Sequence, residues 1–265
     1  MRIQHRITIA SSLAIQSGLS AMGLLVPPSG VVTFQVHEAD PRWQQLSSWV
    51  DYSGAVDIVT TEFSSAELAA AEWLKLVSDW HHGYPQPEEG AGGYRATTYA
   101  ADGGCVTCGI GRRQVAPFQM KGEPRWGARG ILQLNWVFDE FFVKPEVWSS
   151  VFQPAGIEFC RAASAKGGNL ETVVQLVIDD AVNIATDSLS PQKCDECGQH
   201  KYLPQTRGYF PAIKSDPSGH AVKTIQYFGS GFSAHRGVLV SQSLRQALIR
   251  HNIKGASFWP TGPAV

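Results

Sequence analysis

The sequence GGCVTCGIG, residues 103–111, contains two cysteines that are separated by two residues and followed by a glycine. The same arrangement returns in PQKCDECGQHKY, residues 191–202. Two residues between thiolates let both sulfurs point at one ion, and the glycine lets nearby backbone N–H groups turn towards sulfur. Two such knuckles complete a tetrahedral site, so the sequence predicts one zinc ion. Its ligands would be Cys105, Cys108, Cys194 and Cys197.

A zinc ion held by four thiolates has no open position for water, so we expect a structural site and no catalytic metal. Two other interpretations stay open: redox chemistry at one reactive cysteine pair, and two separate disulfides in an exported chain. His200 follows the second knuckle closely enough to be a neighbouring donor or a substitute ligand. The fifth cysteine, Cys160, ends the apolar stretch GIEFC and is predicted to lie in the core.

The composition is that of an ordinary globular protein: of 265 residues 43% are hydrophobic, and the net charge is −1 at pH 7. A chain so close to neutrality lacks the excess of positive charge that is typical of nucleic-acid-binding proteins. Its five cysteines, four of them in two tight pairs, differ from the even, dispersed set of a disulfide-framed secreted domain. The cysteines therefore favour a reducing compartment, the cytoplasm.

The first thirty residues, MRIQHRITIASSLAIQSGLSAMGLLVPPSG, combine a basic start with a moderately apolar stretch. Polar residues interrupt that stretch, so it matches a signal peptide poorly and is too polar to span a bilayer. Export remains the alternative. We predict instead that residues 1–30 are a disordered extension, that the first domain begins near Val31, and that the protein has no membrane partner.

Residues 31–104 predict an α/β segment with one amphipathic helix. In VVTFQVHEADPRW, residues 31–43, apolar and polar residues alternate as they do in a strand. In SSAELAAAEWLKLVSDW, residues 64–80, apolar residues recur at helical spacing behind a serine N-cap. Residues 81–94 are rich in Gly and Pro and predict a loop.

Two later stretches, residues 141–159 and 238–258, repeat one pattern of a strand, a short helix and a second strand. In the alignment of the two, Val143 falls opposite Val240 and Phe159 opposite Phe258. Pro145 suits a helix start and Ser241 is a natural N-cap. Between the two stretches, a β-branched run over residues 173–178 predicts a buried strand.

Together these elements predict an α+β fold. Two similar strand-helix-strand units, each preceded by a zinc knuckle, would be joined by a zinc-ribbon-like site. The predicted divisions are an N-terminal extension, an α/β segment, a first CxxCG unit and a second CxxCG unit, at residues 1–30, 31–104, 105–190 and 191–265.

The two knuckles, an opening strand that ends in a DPRW turn, and the ending VLVSQSLRQALIRHNIKGASFWP, residues 238–260, resemble the double-CxxCG motif proteins of swarming soil bacteria. The ending is also similar to that of related immunity proteins encoded beside swarming-inhibition toxins. The resemblance covers residues 31–43 and 105–260. It implies a cytoplasmic protein that binds and neutralises a cognate protein toxin, with zinc holding its halves together and no catalytic residues.

Two other classes of function stay open. A metal-dependent enzyme would need a histidine or carboxylate in place of one thiolate. A zinc-ribbon nucleic-acid binder would need basic residues interleaved with aromatic ones, and such a cluster follows the first knuckle. Its members are Arg112, Arg113, Phe118, Lys121, Arg125, Trp126 and Arg129. A cluster of this size is usually a solvated face, so we favour a protein partner over nucleic acid.

A toxin-binding protein must present an interface to its partner. Interfaces draw their strongest anchors from Trp, Tyr and Arg. The segments outside the repeated units that carry these residue types are the loop from His81 to Tyr94 and the basic stretch after the first knuckle. The predicted partner-binding residues are Tyr84, Arg125 and Trp126.

Overall fold

The structure, a computed structural model, describes residues 1–27, 30–88 and 93–262. The chain divides into two compact units: unit 1 consists of Met1–Glu67 with Gln205–Gly208, and unit 2 of the rest of the described chain. These boundaries differ from the predicted divisions after residues 30, 104 and 190. Strands and helices are mixed, so the α+β class is confirmed. Within the described ranges no helix is both long and apolar enough to cross a membrane.

Unit 1 is a three-stranded antiparallel sheet with two helices, and its strand order is β2-β1-β3. Its elements are β1 (Arg2–Ala10), α1 (Leu13–Ala21), β2 (Val31–His37), α2 (Trp43–Ser53) and β3 (Val56–Glu62). Strand β2 lies where the sequence predicted the first strand.

The prediction of a disordered extension over residues 1–30 is corrected by the structure. Strand β1 is the central strand of the sheet, and α1 begins at an N-cap whose Ser12 side chain accepts from the Ile15 N–H. Ile7 and Leu19 are fully buried in the core of unit 1. The physical reason is the alternation of side chains along β1, which places every second residue against the core.

A buried histidine ties the elements of unit 1 together. His5 on β1 places Nδ1 2.8 Å from Asp57 Oδ2 and Nε2 3.2 Å from Glu38 Oε1, and its ring packs 3.8 Å from that of Trp43. Arg207 Nη2 lies 2.6 Å from the same Glu38 oxygen, so the short segment Gln205–Gly208 belongs to this unit. No pattern in the sequence indicated this cluster.

Unit 2 contains two sheets. Its strands are β4 (Trp73–Ser78), β5 (Gln119–Met120), β6 (Ile131–Leu134), β7 (Val137–Val143), β8 (Glu158–Ser164), β9 (Asn169–Val177), β10 (Ala181–Val182), β11 (Pro191–Lys193), β12 (His200–Tyr202), β13 (Ala221–Phe228), β14 (His235–Ser241) and β15 (Ala256–Pro260). The seven-stranded sheet has the order β11-β12-β13-β14-β4-β15, with β10 beside β13. The five-stranded sheet has the order β5-β8-β9-β7-β6.

In the described ranges, four helices accompany these strands. They are α3 (Ser65–Ala70), which begins in unit 1, α4 (Gly93–Thr98), α5 (Pro145–Val147) and α6 (Gln242–Arg250). A π-helical turn over Trp148–Phe152 and a 3-10 turn over Gln153–Ala155 extend α5. The largest core cluster contains residues of both sheets together with Val147, Val151, Leu244 and Leu248 from the helical segments.

The amphipathic helix predicted over residues 64–80 is wrong beyond its first turns. Helix α3 ends at Ala70, and the apolar residues that follow form β4. This strand is paired on both sides, by β14 and β15, and Leu74 and Leu76 are buried. Long-range pairing and burial of the strand outweigh a helical spacing that a short apolar run satisfies by coincidence.

The predicted loop over residues 81–94 is only partly described. Residues 81–88 carry isolated bridges at His81 and Gln86 but form no helix or strand. Residues 89–92 lie outside the described ranges, and α4 begins at Gly93.

Helices and strands occur at both stretches that the sequence matched to one another. Strands β7 and β8 flank the antiparallel strand β9, and β14 and β15 flank the antiparallel strand β4. Phe159 pairs with Leu176 and Phe258 with Leu76, so the two matched phenylalanines occupy equivalent registers. The Ser241 N-cap and Pro145 in the first turn are confirmed, and the strand predicted over residues 173–178 lies in β9, which ends at Val177.

Candidate metal centre

The two knuckles meet in unit 2. The first lies in the loop between α4 and β5, and the second is the turn between β11 and β12. The four sulfur atoms all lie within 4.8 Å of one another. Cys105 Sγ is 3.9 Å from Cys194 Sγ, and Cys108 Sγ is 3.6 Å from Cys197 Sγ, with each pair 89 positions apart in the sequence. The predicted ligands therefore form one cluster that can hold a metal ion.

The sulfur separations fit a tetrahedral thiolate site. A metal–sulfur distance of about 2.3 Å places neighbouring sulfurs of a tetrahedron about 3.8 Å apart. A disulfide would require sulfurs about 2.05 Å apart, and all five cysteines of the chain are free. The geometry thus favours shared coordination over the two-disulfide alternative.

Both knuckles have the same backbone hydrogen bonds. The Gly109 N–H donates to the Cys105 carbonyl and the Gly198 N–H donates to the Cys194 carbonyl, each at 2.8 Å. The N–H of the first cysteine donates back to the carbonyl five residues later in both cases, at 2.8 Å and 2.9 Å. Each turn therefore holds its two sulfurs on one side of the chain.

The local environment shifts the acidity of the thiols in opposite directions. Backbone N–H groups of Cys197 and Glu196 donate to Cys194 and lower the pKa of its thiol to about 7. Burial raises the pKa of the Cys108 thiol to about 12, although the Ile110 N–H opposes this. A thiol that loses its proton near neutral pH is ready to bind a cation, and Cys194, the buried cysteine of the second knuckle, supplies it.

The glycines that follow the two cysteine pairs have different surroundings. Both adopt a left-handed backbone, with φ of +80° at Gly109 and +71° at Gly198. A Cβ added at Gly109 would lie 2.6 Å from the Phe232 carbonyl oxygen and 2.8 Å from Arg112 Nη2, whereas a Cβ at Gly198 would meet nothing within 4 Å. The first knuckle is therefore packed and the second is open.

A pair of alanine variants tests this difference. Gly198→Ala should lower the free energy of unfolding by about 1 kcal/mol through backbone strain alone. Gly109→Ala should lower the free energy of unfolding by about 1 to 3 kcal/mol more than Gly198→Ala does, because its methyl group must displace the backbone carbonyl of Phe232. Urea denaturation of the two variants measures the difference, and equal losses would contradict the packing of the first knuckle.

Two cations fix the segment 229–233 against the first knuckle. The buried Lys201 ammonium donates to the Cys108 carbonyl at 3.3 Å, to the Ser233 carbonyl at 3.0 Å and to the Gly231 carbonyl. Arg112 Nη2 donates to the Phe232 carbonyl at 3.2 Å. Since Lys201 is in β12, directly after the second knuckle, one side chain links both knuckles and this segment.

Other predicted or neighbouring groups lie around the cluster. His200 is exposed on β12 and is not among the clustered ligand atoms. Glu196 Oε2 lies 3.9 Å from Cys105 Sγ and accepts a hydrogen bond from the Thr107 hydroxyl, a contact that the sequence did not indicate. Cys160 is half-buried away from the cluster, where its thiol donates to Gln175 Oε1 at 3.4 Å.

The predicted interface residues differ in exposure. Trp126 is buried, and its indole N–H donates to the Thr172 carbonyl at 3.0 Å, so the assumption that it lies on the surface is corrected. It packs in a core cluster with Phe118, which is fully buried. Arg125 is exposed, and Tyr84 is exposed with its ring centroid 4.4 Å from that of Trp136.

A cleft of about 550 Å³ elsewhere in unit 2 contains a buried ion pair. Lys223 Nζ lies 2.6 Å from Glu140 Oε1, and Gln175 donates to Glu140 Oε2 at 3.1 Å. Burial raises the pKa of Glu140 although Lys223 opposes this, whereas the carboxylates of Glu140 and Asp139 raise the pKa of Lys223 against its own burial. The short contact is that of an ion pair, and we assign both groups their charged forms.

The four-sulfur cluster is thus the part of unit 2 in which sequence and structure agree on a specific chemistry. Comparison of the chain with known protein families, with curated proteins and with solved structures found no match. The geometry of the cluster and its surroundings therefore carries the functional argument.

Proposed function

We propose that this protein is a non-catalytic binding protein of the immunity class, which neutralises a cognate bacterial toxin and is stabilised by a structural zinc ion. The observation that carries the proposal is the cluster of four sulfurs from two sequence-distant knuckles. Four thiolates leave no coordination position for water or substrate, so a metal held there has a structural role. The toxin is proposed as the partner because the resemblance to double-CxxCG proteins implies it.

The donor set supports zinc as the metal. Soft thiolates in a closed tetrahedron suit zinc, and a single iron ion is the other metal that such a site accommodates. Elemental analysis of protein purified without added metal identifies the element. Visible absorption separates the two independently, because a zinc site is colourless and an iron–thiolate site absorbs visible light. We expect one zinc ion per chain.

The zinc ion would join the two CxxCG segments into one unit. Each knuckle is followed in the chain by one of the matched strand-helix-strand stretches. A metal bond between knuckles so far apart closes a long loop, and this removes conformational freedom mainly from the unfolded chain. Because the ligands must remain reduced thiolates, we place the protein in the cytoplasm.

The aromatic residues that favoured the nucleic-acid alternative are not exposed. Phe118 and Trp126, the aromatic members of the basic cluster, lie in the core and offer no ring face to a base. Lys121 pairs with Glu88 at 2.7 Å. A protein partner is therefore the better-supported choice.

Co-expression tests the proposed function. We expect the gene of this protein to lie beside an open reading frame for a large secreted toxin, and that toxin is the probe. We expect the protein to restore growth to cells that produce the toxin, and to co-purify with it as a stable complex. Rescue without a complex, or turnover of a small substrate by the purified protein, would instead support an enzyme.

A further inference from the structure

Three exposed aromatic side chains in unit 2 line one cleft, which we call the aromatic cleft. Trp136, Phe138 and Phe232 are 44%, 42% and 50% exposed. Together with Arg95 and His235 they border a cavity of about 470 Å³. Large apolar side chains grouped on a surface are typical of a site that is covered by a partner.

The backbone of Trp136 adds a second, independent observation. Leu134 pairs with Val137, so Asn135 and Trp136 form the tip of the β6–β7 hairpin. Trp136 has φ of +67°, a left-handed conformation that costs a non-glycine residue about 1 kcal/mol or more. The ring of Tyr84 supports the indole at 4.4 Å. An exposed tryptophan held in a strained conformation indicates a residue positioned for contact with another molecule.

Arg95 places a positive charge at the border of the cleft. Arg95 lies over the Phe232 ring at 4.6 Å, and no carboxylate in the described part of the chain forms an ion pair with Arg95 or Arg112. Burial and the nearby Arg95 charge lower the pKa of Arg112, so the two guanidinium groups repel each other. Within the described ranges no acidic residue lines the aromatic cleft, and the nearest carboxylates, Asp139 and Glu140, line the adjoining cavity with Arg95 and Arg112. A carboxylate supplied from outside would neutralise this charge.

Hydrogen bonds hold one wall of the cleft in place. The wall that carries Phe232 is the segment fixed to the metal knuckle by Lys201 and Arg112. A pre-ordered surface loses little conformational entropy on binding, which favours affinity.

We propose that the aromatic cleft docks an acidic segment of a protein partner. An apolar side chain of that segment enters between Trp136, Phe138 and Phe232, and a neighbouring carboxylate pairs with Arg95. The Arg95 guanidinium selects the acid, and the aromatic walls select the apolar anchor. The inference rests on the proposed function, since a binding protein of the immunity class requires such a surface.

A fluorescent peptide tests the inference directly. The probe is a peptide of about 12 residues in which Glu alternates with Phe and Leu, and its control has Lys in place of every Glu. We expect fluorescence anisotropy to show binding of the acidic peptide only. Trp136→Ala and Arg95→Glu should each weaken this binding about tenfold or more, the size expected for a central interface residue.

Matched variants separate the cleft from general surface effects. Tyr52→Ala removes an aromatic ring that is 76% exposed outside the cleft, and Arg250→Glu makes the same charge change at an exposed arginine of α6 that does not border the cleft. Both should bind the acidic peptide like the unchanged protein. Equal binding of the two peptides, no binding of either, or equal loss in the control variants would overturn the inference. Binding of an oligo-deoxythymidylate that depends on Trp136 would reassign the cleft to nucleic acid.

Repeating the variants in the toxin assay keeps the two proposals distinguishable. If the unchanged protein and Trp136→Ala both rescue growth and bind the toxin, the docking site is wrong and the proposed function stands. If the acidic peptide binds through Trp136 and Arg95 but the unchanged protein does not bind the toxin, the proposed function fails and the docking site stands.

Discussion

A Cys194→Ser variant should lose its bound metal and several kcal/mol of the free energy of unfolding. The serine hydroxyl is a poor ligand for a soft thiolate site, and Cys194 supplies the thiol whose pKa is lowered to about 7. Without the metal, the two knuckles no longer close the long loop between them. Elemental analysis should show much less than one metal ion per chain, and urea denaturation should give a lower midpoint.

Cys160→Ser is the matched control for this experiment. Cys160 is half-buried and its thiol donates to Gln175 Oε1, a hydrogen bond that a serine hydroxyl can also make. The control should keep its full metal content and lose only about 1 kcal/mol or less. Equal loss of metal from both variants would show that the ligands are wrongly assigned, and intact disulfides at all four cysteines in freshly lysed cells would exclude the metal site.

Lys223→Met should lower the free energy of unfolding by about 3 to 5 kcal/mol at neutral pH, because it leaves the Glu140 carboxylate buried without its cation. The matched control is Lys121→Met, which breaks the Lys121–Glu88 ion pair. The two ion pairs are of similar length, 2.7 Å for Lys121–Glu88 and 2.6 Å for Lys223–Glu140, but the Lys121 side chain is 75% exposed and the Lys223 side chain only 10%. The control should lose about 1 kcal/mol or less. Urea denaturation measures both, and equal losses would contradict the burial of the Glu140–Lys223 pair.

The loss in Lys223→Met should depend on pH in a defined direction. Burial already raises the pKa of Glu140 in the folded protein, and Lys223 opposes that rise, so removing the lysine raises this pKa further. A folded-state pKa above the unfolded one destabilises the protein at higher pH, and this penalty disappears as pH falls through the folded value. The difference in free energy of unfolding between Lys223→Met and the unchanged protein should therefore shrink as the pH falls from about 8 to about 5. A difference that grows on acidification would contradict the assignment.

The sequence alone determined the features that depend on local spacing. The CxxCG pairs fix the geometry of each knuckle within six residues, and both turns have the predicted form with equivalent hydrogen bonds. The N-cap at Ser241 and the helix start at Pro145 likewise depend on their immediate neighbours. The sequence also identified which cysteines belong together, because one CxxC pair supplies only two of the four ligands of a tetrahedral site and a second pair must supply the other two.

Tertiary structure alone decided the features that depend on distant pairing. Residues 73–78 have a helical spacing of apolar side chains, yet they form β4 because β14 and β15, far along the chain, supply hydrogen bonds on both edges. Strand β1 became the centre of unit 1 by the same kind of pairing, although its sequence resembles a weak signal peptide.

Tertiary structure also decided which side chains lie on the surface. Trp126 and Trp136 are indistinguishable by composition, but one is buried against Thr172 and the other stands at a hairpin tip. Exposure depends on which faces of the strands are covered after folding. The sequence by itself therefore determined the four-cysteine cluster, whose members are encoded in two short motifs. Only the tertiary structure decided the aromatic cleft, whose aromatic side chains come from β7, its hairpin and the distant segment beside the first knuckle.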